Sequence, residues 1–324
     1  MIIGTLSYKT KQFFFVLIKL SIVSGAFFFI YNKLTNNDQL DFTVFIDFLS
    51  KKDVFSPKQG FFVLFLTMFN WFFEILKWQN LASFVKKISL RESIEQSLGA
   101  HTASLFTPNR IGEYGAKAVY FAKQFRKRII LLNLLGNMTQ MMITTVLGIA
   151  GFLIFINNYE VEISFVKLSR LSIIIAIILG FAILGLNQNR FHIKGFSIER
   201  IKEYIKEISV KIHVFNIFYS IIRYLIFSFQ FYLLLCIFNI NLTYIDAMVV
   251  ITSMYLLASV IPSIFIFDVI IKGSVAVYLF SFVHVNELTI LTIVTIMWLL
   301  NFVLPSIFGS YYVLNFNWYN SDDQ

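Results

Sequence analysis

Two stretches of the sequence place a carboxylate and a lysine four residues apart, shortly after a proline, inside an otherwise apolar chain. The first runs from Pro108 to Tyr120 and carries Glu113 and Lys117; the second runs from Pro262 to Tyr278 and carries Asp268 and Lys272. An i,i+4 carboxylate and ammonium share a helix face, and a charge at bilayer depth costs at least about 2.5 kcal/mol by insertion scales. Such pairs either neutralise a segment so that it can insert, or line a polar site. For the second reading, helices beginning near Gly112 and Phe267 would turn positive dipole ends toward the midplane. Arg110, Lys117 and Lys272 would then receive a phosphate-bearing headgroup, arginine through its bidentate fork. Glu113 and Asp268 would tune the charge or exchange protons. Arg223 has no acid in its own apolar run and is a further headgroup contact.

Other polar residues carry two readings each. Glu74 and Lys77 are three apart on one apolar run, a spacing for a structural pair or for a place in the cavity. His101, among the small residues Gly99 to Ser104, is either a hydrogen-bonded structural residue or, with Glu74, a proton-coupling group. Lys19 can snorkel to an interface on its aliphatic stem. The histidines, 101, 192, 213 and 284, are scattered, the single cysteine is Cys236, and no ligand-spaced cluster points to a metal or cofactor. No Gly-rich phosphate loop of the G-x-x-x-x-G-K-[ST] type occurs.

These residues must be held by a membrane-embedded scaffold. The 324 residues are 58% hydrophobic, 18% aromatic and 14% charged, and the mean hydropathy is +0.75. That composition describes an all-α polytopic membrane protein, a single integral membrane domain over 1–324. Runs long enough for about 30 Å of hydrocarbon, at about 20 residues each, lie at about 12–31, 59–81, 129–156, 170–187, 212–238 and 288–316. The net charge of +9 comes from loops between these runs, which sets orientation and does not indicate nucleic acid. The 39 phenylalanines are expected to face lipid and fill the core.

Two regions, about 92–121 and 244–284, are apolar but broken by proline, glycine and charge, and each reads as two half-helices. Irregular backbone at membrane depth survives only when buried in protein or lining a wet cavity, so each is expected to be a re-entrant hairpin. The basic residues agree. With the amino terminus cytoplasmic, six spans plus two hairpins place fifteen lysines and arginines inside and six outside. The same topology makes approximately 59–156 and 212–316 inverted repeats joined by a cytoplasmic linker at approximately 188–211. Ser89 to Pro108 and Thr243 to Pro262 have equal length, with Glu92 opposite Asp246. Inverted repeats with broken helices near the midplane are a recurrent transporter plan.

The stretches Asn70 to Trp78, Pro108 to Glu113 and Lys272 to Ala276 resemble the lysylphosphatidylglycerol synthase transmembrane-region family, the flippase-like domain of the bacterial multiple peptide resistance factor. The resemblance covers nearly the whole chain. It implies a lipid-handling domain of the bacterial cytoplasmic membrane, here without a synthase domain, since the longest hydrophilic stretches, about 32–58 and 188–211, cannot hold one. Non-enzymatic movement of a phospholipid or lipid-linked headgroup is the expected activity, with membrane lipids as partners. Two alternatives stand beside it: a non-transporting partner of an envelope lipid or glycan biosynthetic enzyme, and an ion-coupled small-solute carrier. A homo-oligomer is also compatible. One departure from the family is Ile264 to Phe267, where a polar, glycine-bearing stretch is expected.

Overall fold

A computed structural model describes residues 56–105, 107, 112–159, 198–260 and 268–316, with scattered positions between 17 and 47. Among the described residues the chain is helical, without strand. In order the helices are α1 (Pro57–Ala82), α2 (Leu90–Ser104), α3 (Gly112–Val119), α4 (Arg126–Asn158), α5 (Ile198–Glu207), α6 (Val210–Ile237), α7 (Tyr244–Val260), α8 (Asp268–Ser281), α9 (Glu287–Trp298) and α10 (Leu304–Asn315). A π-helical turn at Leu299–Val303 joins α9 to α10 as one rod.

Local chemistry sets the starts. Ser56 caps α1 in a reciprocal capping box with Gln59, and Pro57 occupies the first turn, where no backbone donor is needed. Ser89 and Glu92 repeat the box at α2; at α7 the Thr243 hydroxyl accepts from the Asp246 backbone N–H and donates to the Asp246 carboxylate.

Four helical rods, α1, α4, α6 and α9–α10, are long and apolar enough to cross a membrane. The 26 residues of α1 make about 39 Å, more than the roughly 30 Å of hydrocarbon. These four coincide with the expected runs at 59–81, 129–156, 212–238 and 288–316. The runs at 12–31 and 170–187 lie largely or wholly outside the described residues. Lys19, read as a snorkelling residue, donates from Nζ to the Leu314 carbonyl at 3.0 Å, where it satisfies an orphan acceptor at the end of α10.

In the two regions expected to be broken, α2 runs to Ser104 and α3 from Gly112, and α7 runs to Val260 and α8 from Asp268; the expected breaks at Pro108 and Pro262 lie outside the described residues. With 15 and 8 residues, α2 and α3 reach only about 22 and 12 Å. With 17 and 14, α7 and α8 reach about 26 and 21 Å. Among the described residues neither pair contains a full span.

Packing links the two halves. α1 lies along α6, α2 packs on α3 and on α10, and α7 packs on α8 and on α4. Two glycines permit the closest crossings. A Cβ on Gly151 of α4 would sit 1.9 Å from Thr252 Oγ1 of α7, and one on Gly309 of α10 would sit 2.2 Å from the Leu98 carbonyl oxygen of α2. Small residues at such seams let membrane helices approach and gain dispersion contacts that lipid would otherwise supply. At the second seam Thr102 Oγ1 also donates to the Ser306 carbonyl at 3.0 Å.

One apolar core gathers Phe155, Phe231, Leu234, Ile251, Phe280 and Ile293. Another gathers Trp78, Leu81, Phe121, Leu132 and Tyr204, which tethers α5 to the ends of α1 and α4. Burial pushes the Tyr204 phenol up to about 12. Phe61, Phe62, Phe65, Phe69 and Phe72 of α1 point outward, and Phe62, Phe65, Phe69 and Phe72 stack in a ladder. That arrangement suits contact with acyl chains.

Candidate functional site

Three spanning helices each carry a polar stripe. On α1 it is Thr67, Asn70, Glu74 and Lys77; on α6 it is Asn216, Ser220, Arg223 and Gln230; on α4 it is Asn133, Asn137 and Gln140. Steps of three, four and seven keep each set on one helical face. All but Arg223, Asn137 and Gln140 are fully buried. Unpaired polar groups are costly at that depth, and most of these find partners on a neighbouring helix.

The charged centre is Glu74, 8% exposed. Its Oε2 lies 2.8 Å from Lys77 Nζ and also pairs with Arg223 across the α1–α6 contact, while its Oε1 lies 3.9 Å from Lys117 Nζ. Lys117, 1% exposed, has its closest partner in Glu113 at 2.8 Å. It also donates to Asn133 Oδ1 at 3.0 Å and stands 4.4 Å from the Trp78 ring centroid, a cation–π distance. Trp78 is fixed in turn by its Nε1 donating to Gln96 Oε1 at 2.8 Å. Arg223 reaches α4 through NH1 to Gln140 Oε1 at 3.3 Å. Three cations and two carboxylates from α1, α3 and α6 thus share one site, with α4 supplying amides.

A neutral network continues along α1 and α6. Gln230 Nε2 donates to Thr67 Oγ1 at 2.7 Å and to the Val63 carbonyl at 3.1 Å. Asn301 Nδ2 donates to Gln230 Oε1 at 3.0 Å, and Asn70 Nδ2 to Asn301 Oδ1 at 3.2 Å. Asn301 lies in the π-helical turn, where the i→i−4 ladder is interrupted and carbonyls become available. Two are used: Trp71 Nε1 donates to Asn301 O at 3.3 Å, and His101 Nε2 lies 3.1 Å from Phe302 O. A carbonyl only accepts, so Nε2 of His101 is the donor. The imidazole sits edge-on to both Trp71 and Phe302, at 4.8 and 5.0 Å between centroids.

Of the residues singled out from sequence, Glu74, Glu113, Lys117 and Arg223 come together here, and Lys77 joins them. His101 is buried, 1% exposed, on the neutral network and not in the ion cluster. Arg110 lies outside the described residues, as does the side chain of Asp268, whose backbone opens α8. Lys272 is exposed, in contrast to its counterpart Lys117. The amides Asn70, Asn133, Gln140, Gln230 and Asn301 were not anticipated. Their signal was present as carboxamides at helical spacing within apolar runs, above all Asn133, Asn137 and Gln140. Among the described residues no group of three histidine, cysteine or acidic side chains is placed to hold a metal ion.

Residues 16–309 match the family model described as the lysylphosphatidylglycerol synthase TM region. No curated protein and no solved structure matches the chain.

Proposed function

The chain belongs to the lysylphosphatidylglycerol synthase transmembrane-region family and is a multi-pass, membrane-embedded protein of lipid-related, transporter-like type, and on that premise we propose that it moves a phospholipid or lipid-linked headgroup across the bacterial cytoplasmic membrane. The observation that carries the proposal is the buried ion cluster of Glu74, Lys77, Glu113, Lys117 and Arg223. A structural protein gains little from such a cluster, because replacing buried ion pairs by packed apolar groups is often neutral or stabilising. Intramembrane charges are retained at substrate and ion pathways.

The route in this reading is a pair of re-entrant hairpins, α2–α3 and α7–α8, within inverted repeats. Helix register supports the repeat. Asn70 and Arg223 each stand thirteen residues after the first residue of α1 and α6, and Lys77 and Gln230 each stand twenty after. Gln140 and Asn301 each stand fourteen after the first residue of α4 and α9. The pair Arg223–Gln140 therefore has its counterpart in Asn70–Asn301, and both pairs are in contact. The packing of α2 on α10 and of α7 on α4 is exchanged in the same two-fold way. The first half-site then lies toward the cytoplasm, with the amino terminus on that side, and the neutral network lies toward the outer face. Arg110 would join the ion cluster from the loop before α3. Asp268 and Lys272 would serve the outer approach, and Glu74 and His101 would carry any coupled proton.

The test is reconstitution. Lipids that co-purify with the protein, identified by mass spectrometry, should cross the bilayer of proteoliposomes, and Lys117→Met should abolish movement while preserving insertion. Undiminished movement in Lys117→Met would remove the cluster from the pathway, and no movement with wild type would favour a non-transporting partner of a biosynthetic enzyme.

A further inference from the structure

Among the four described spans, only the rod α9–α10 is not α-helical throughout. Its π-helical turn, Leu299–Val303, has no fully buried residue, and Pro305 follows two residues later. In an unbroken α-helix residue 305 donates to the carbonyl of residue 301, but proline has no N–H to give. The Asn301 carbonyl and the adjacent one of Phe302 accept from side chains of other helices, Trp71 Nε1 of α1 and His101 Nε2 of α2. Sharp bends in helices concentrate at prolines and π-turns. The two sides of this turn also pack in different places. α9 lies on α8 and α6 and contributes Ile290, Ile293 and Ile296 to the core around Phe231 and Phe280. α10 contributes nothing to that core and lies on α2, where Gly309 admits Leu98 and Thr102. Just past its end, Phe316 stands 4.6 Å from the ring of Tyr120, just past α3.

The other repeat has the same seam on a different rod. Gly148 and Gly309 each stand twenty-two residues after the first residue of α4 and α9. Gly148 admits Thr252 and Leu256 of α7, which stand nine and thirteen residues after Thr243, as Leu98 and Thr102 do after Ser89. Aromatic pairs correspond as well. Trp71 and Tyr224 each stand fourteen after the first residue of α1 and α6, and each meets a ring twelve residues past Ser89 or Thr243, His101 at 4.8 Å and Tyr255 at 6.1 Å. The rods themselves differ. The position of Pro305 is taken in α4 by Thr144, which keeps its N–H, and all 33 residues of α4 are α-helical. Tyr224 Oη makes no hydrogen bond among the described residues, where Trp71 Nε1 bonds the turn.

We propose that the α2–α3 hairpin and α10 form one rigid gate that swings on the π-helical turn, and that the equivalent unit, α7–α8 with the second half of α4, stays in place because α4 is continuous. The inference rests on the inverted repeat in the reading above and adds which half moves; the identity of the lipid plays no part in it. Trp71 and His101 are the latch. Swinging divides the ion cluster along its longest pair, Lys117 to Glu74 at 3.9 Å. Glu113 and Lys117 travel together on α3, while Glu74, Lys77 and Arg223 stay together on α1 and α6. The side-chain ties that must open are Trp78 to Gln96, Ser93 to the Ile75 carbonyl and Lys117 to Asn133. α10 has 12 residues, about 18 Å, so a bend of about 20° displaces its far end by about 6 Å.

The experiment measures distances between spin labels on the full chain in lipid nanodiscs, after replacement of Cys236. One pair joins Leu314 of α10 to Val214 of α6. The control joins Leu153 of α4 to Phe61 of α1, the same register in the other repeat, and all four residues are exposed. The double variant Trp71→Phe, His101→Phe removes both latch donors and keeps two aromatic rings; each lost hydrogen bond should raise the swung population about fivefold. In that variant the first pair should show two distances about 6 Å apart and the control one. Either single substitution serves if the double variant does not fold. Pro305→Ala returns the missing N–H and should suppress the second distance. A single distance for the first pair in the latch variants overturns the proposal. Equal splitting of both pairs overturns it too, since that is symmetric rocking, as does a second distance undiminished by Pro305→Ala. Lipid movement is scored separately: swinging without movement refutes transport alone, and movement with one distance in both pairs refutes this inference alone.

Discussion

Replacing Glu74 by glutamine should destabilise the protein more than any other single change in the cluster, because this one carboxylate pairs with three cations. At an effective dielectric of about 20, its attraction to Lys77 at 2.8 Å is about 6 kcal/mol and to Lys117 at 3.9 Å about 4 kcal/mol. Those gross terms are largely offset by the desolvation already incurred in burying the ions, and breaking one buried pair costs about 3–5 kcal/mol net. The glutamine is nearly isosteric, so no cavity adds to the loss. At about 2 °C per kcal/mol for a chain of this size, the midpoint should fall by about 6–10 °C. The assay is intrinsic tryptophan fluorescence on heating the full chain in detergent, which Trp78 at the cluster reports directly. Glu74→Gln with Lys77→Met removes a cation along with the acid and should recover part of the loss. A midpoint within about 1 °C of wild type for Glu74→Gln, about half a kcal/mol on the same scale, would refute the idea that Glu74 is the counter-ion that holds the cluster together.

The remaining expectations are simpler. After replacement of Cys236, a cysteine at exposed Gln124 should be shielded from an impermeant reagent in intact cells and one at exposed Asn158 labelled; the reverse pattern would invert the topology. Gly309→Ala and Gly151→Ala should each lower stability by about 1–3 kcal/mol through overpacking at the α2–α10 and α4–α7 seams. By contrast Gly115→Ala, with nothing within 4 Å of the new Cβ, should raise stability by about 0.5–1 kcal/mol through helix propensity, read by the same thermal unfolding. Ser89→Ala, which removes the capping box at α2, should cost about 1 kcal/mol, and hydrogen exchange should quicken in the first turn of that helix.

Composition and periodicity were enough to place this chain in a membrane, because burying an unpaired backbone group in hydrocarbon is so costly that spanning segments must be long, apolar and helical. The four spans found among the described residues, and the apolar stretches that carry the shorter helices α2, α3, α7 and α8, were legible for that reason. So were the pairs Glu74–Lys77 and Glu113–Lys117, whose members lie within one turn on one helix. Contacts between distant residues were not legible. Arg223 lacks an acid in its own span and finds Glu74 149 positions earlier in the chain, and the amides of Asn70, Gln230 and Asn301 meet only because α1 packs along α6 beside a π-helical turn. Periodicity shows which face of a helix is polar but carries no information on which other polar face it will meet. That choice belongs to the interhelical packing, where each buried charge and amide must find its partner or leave the fold unstable.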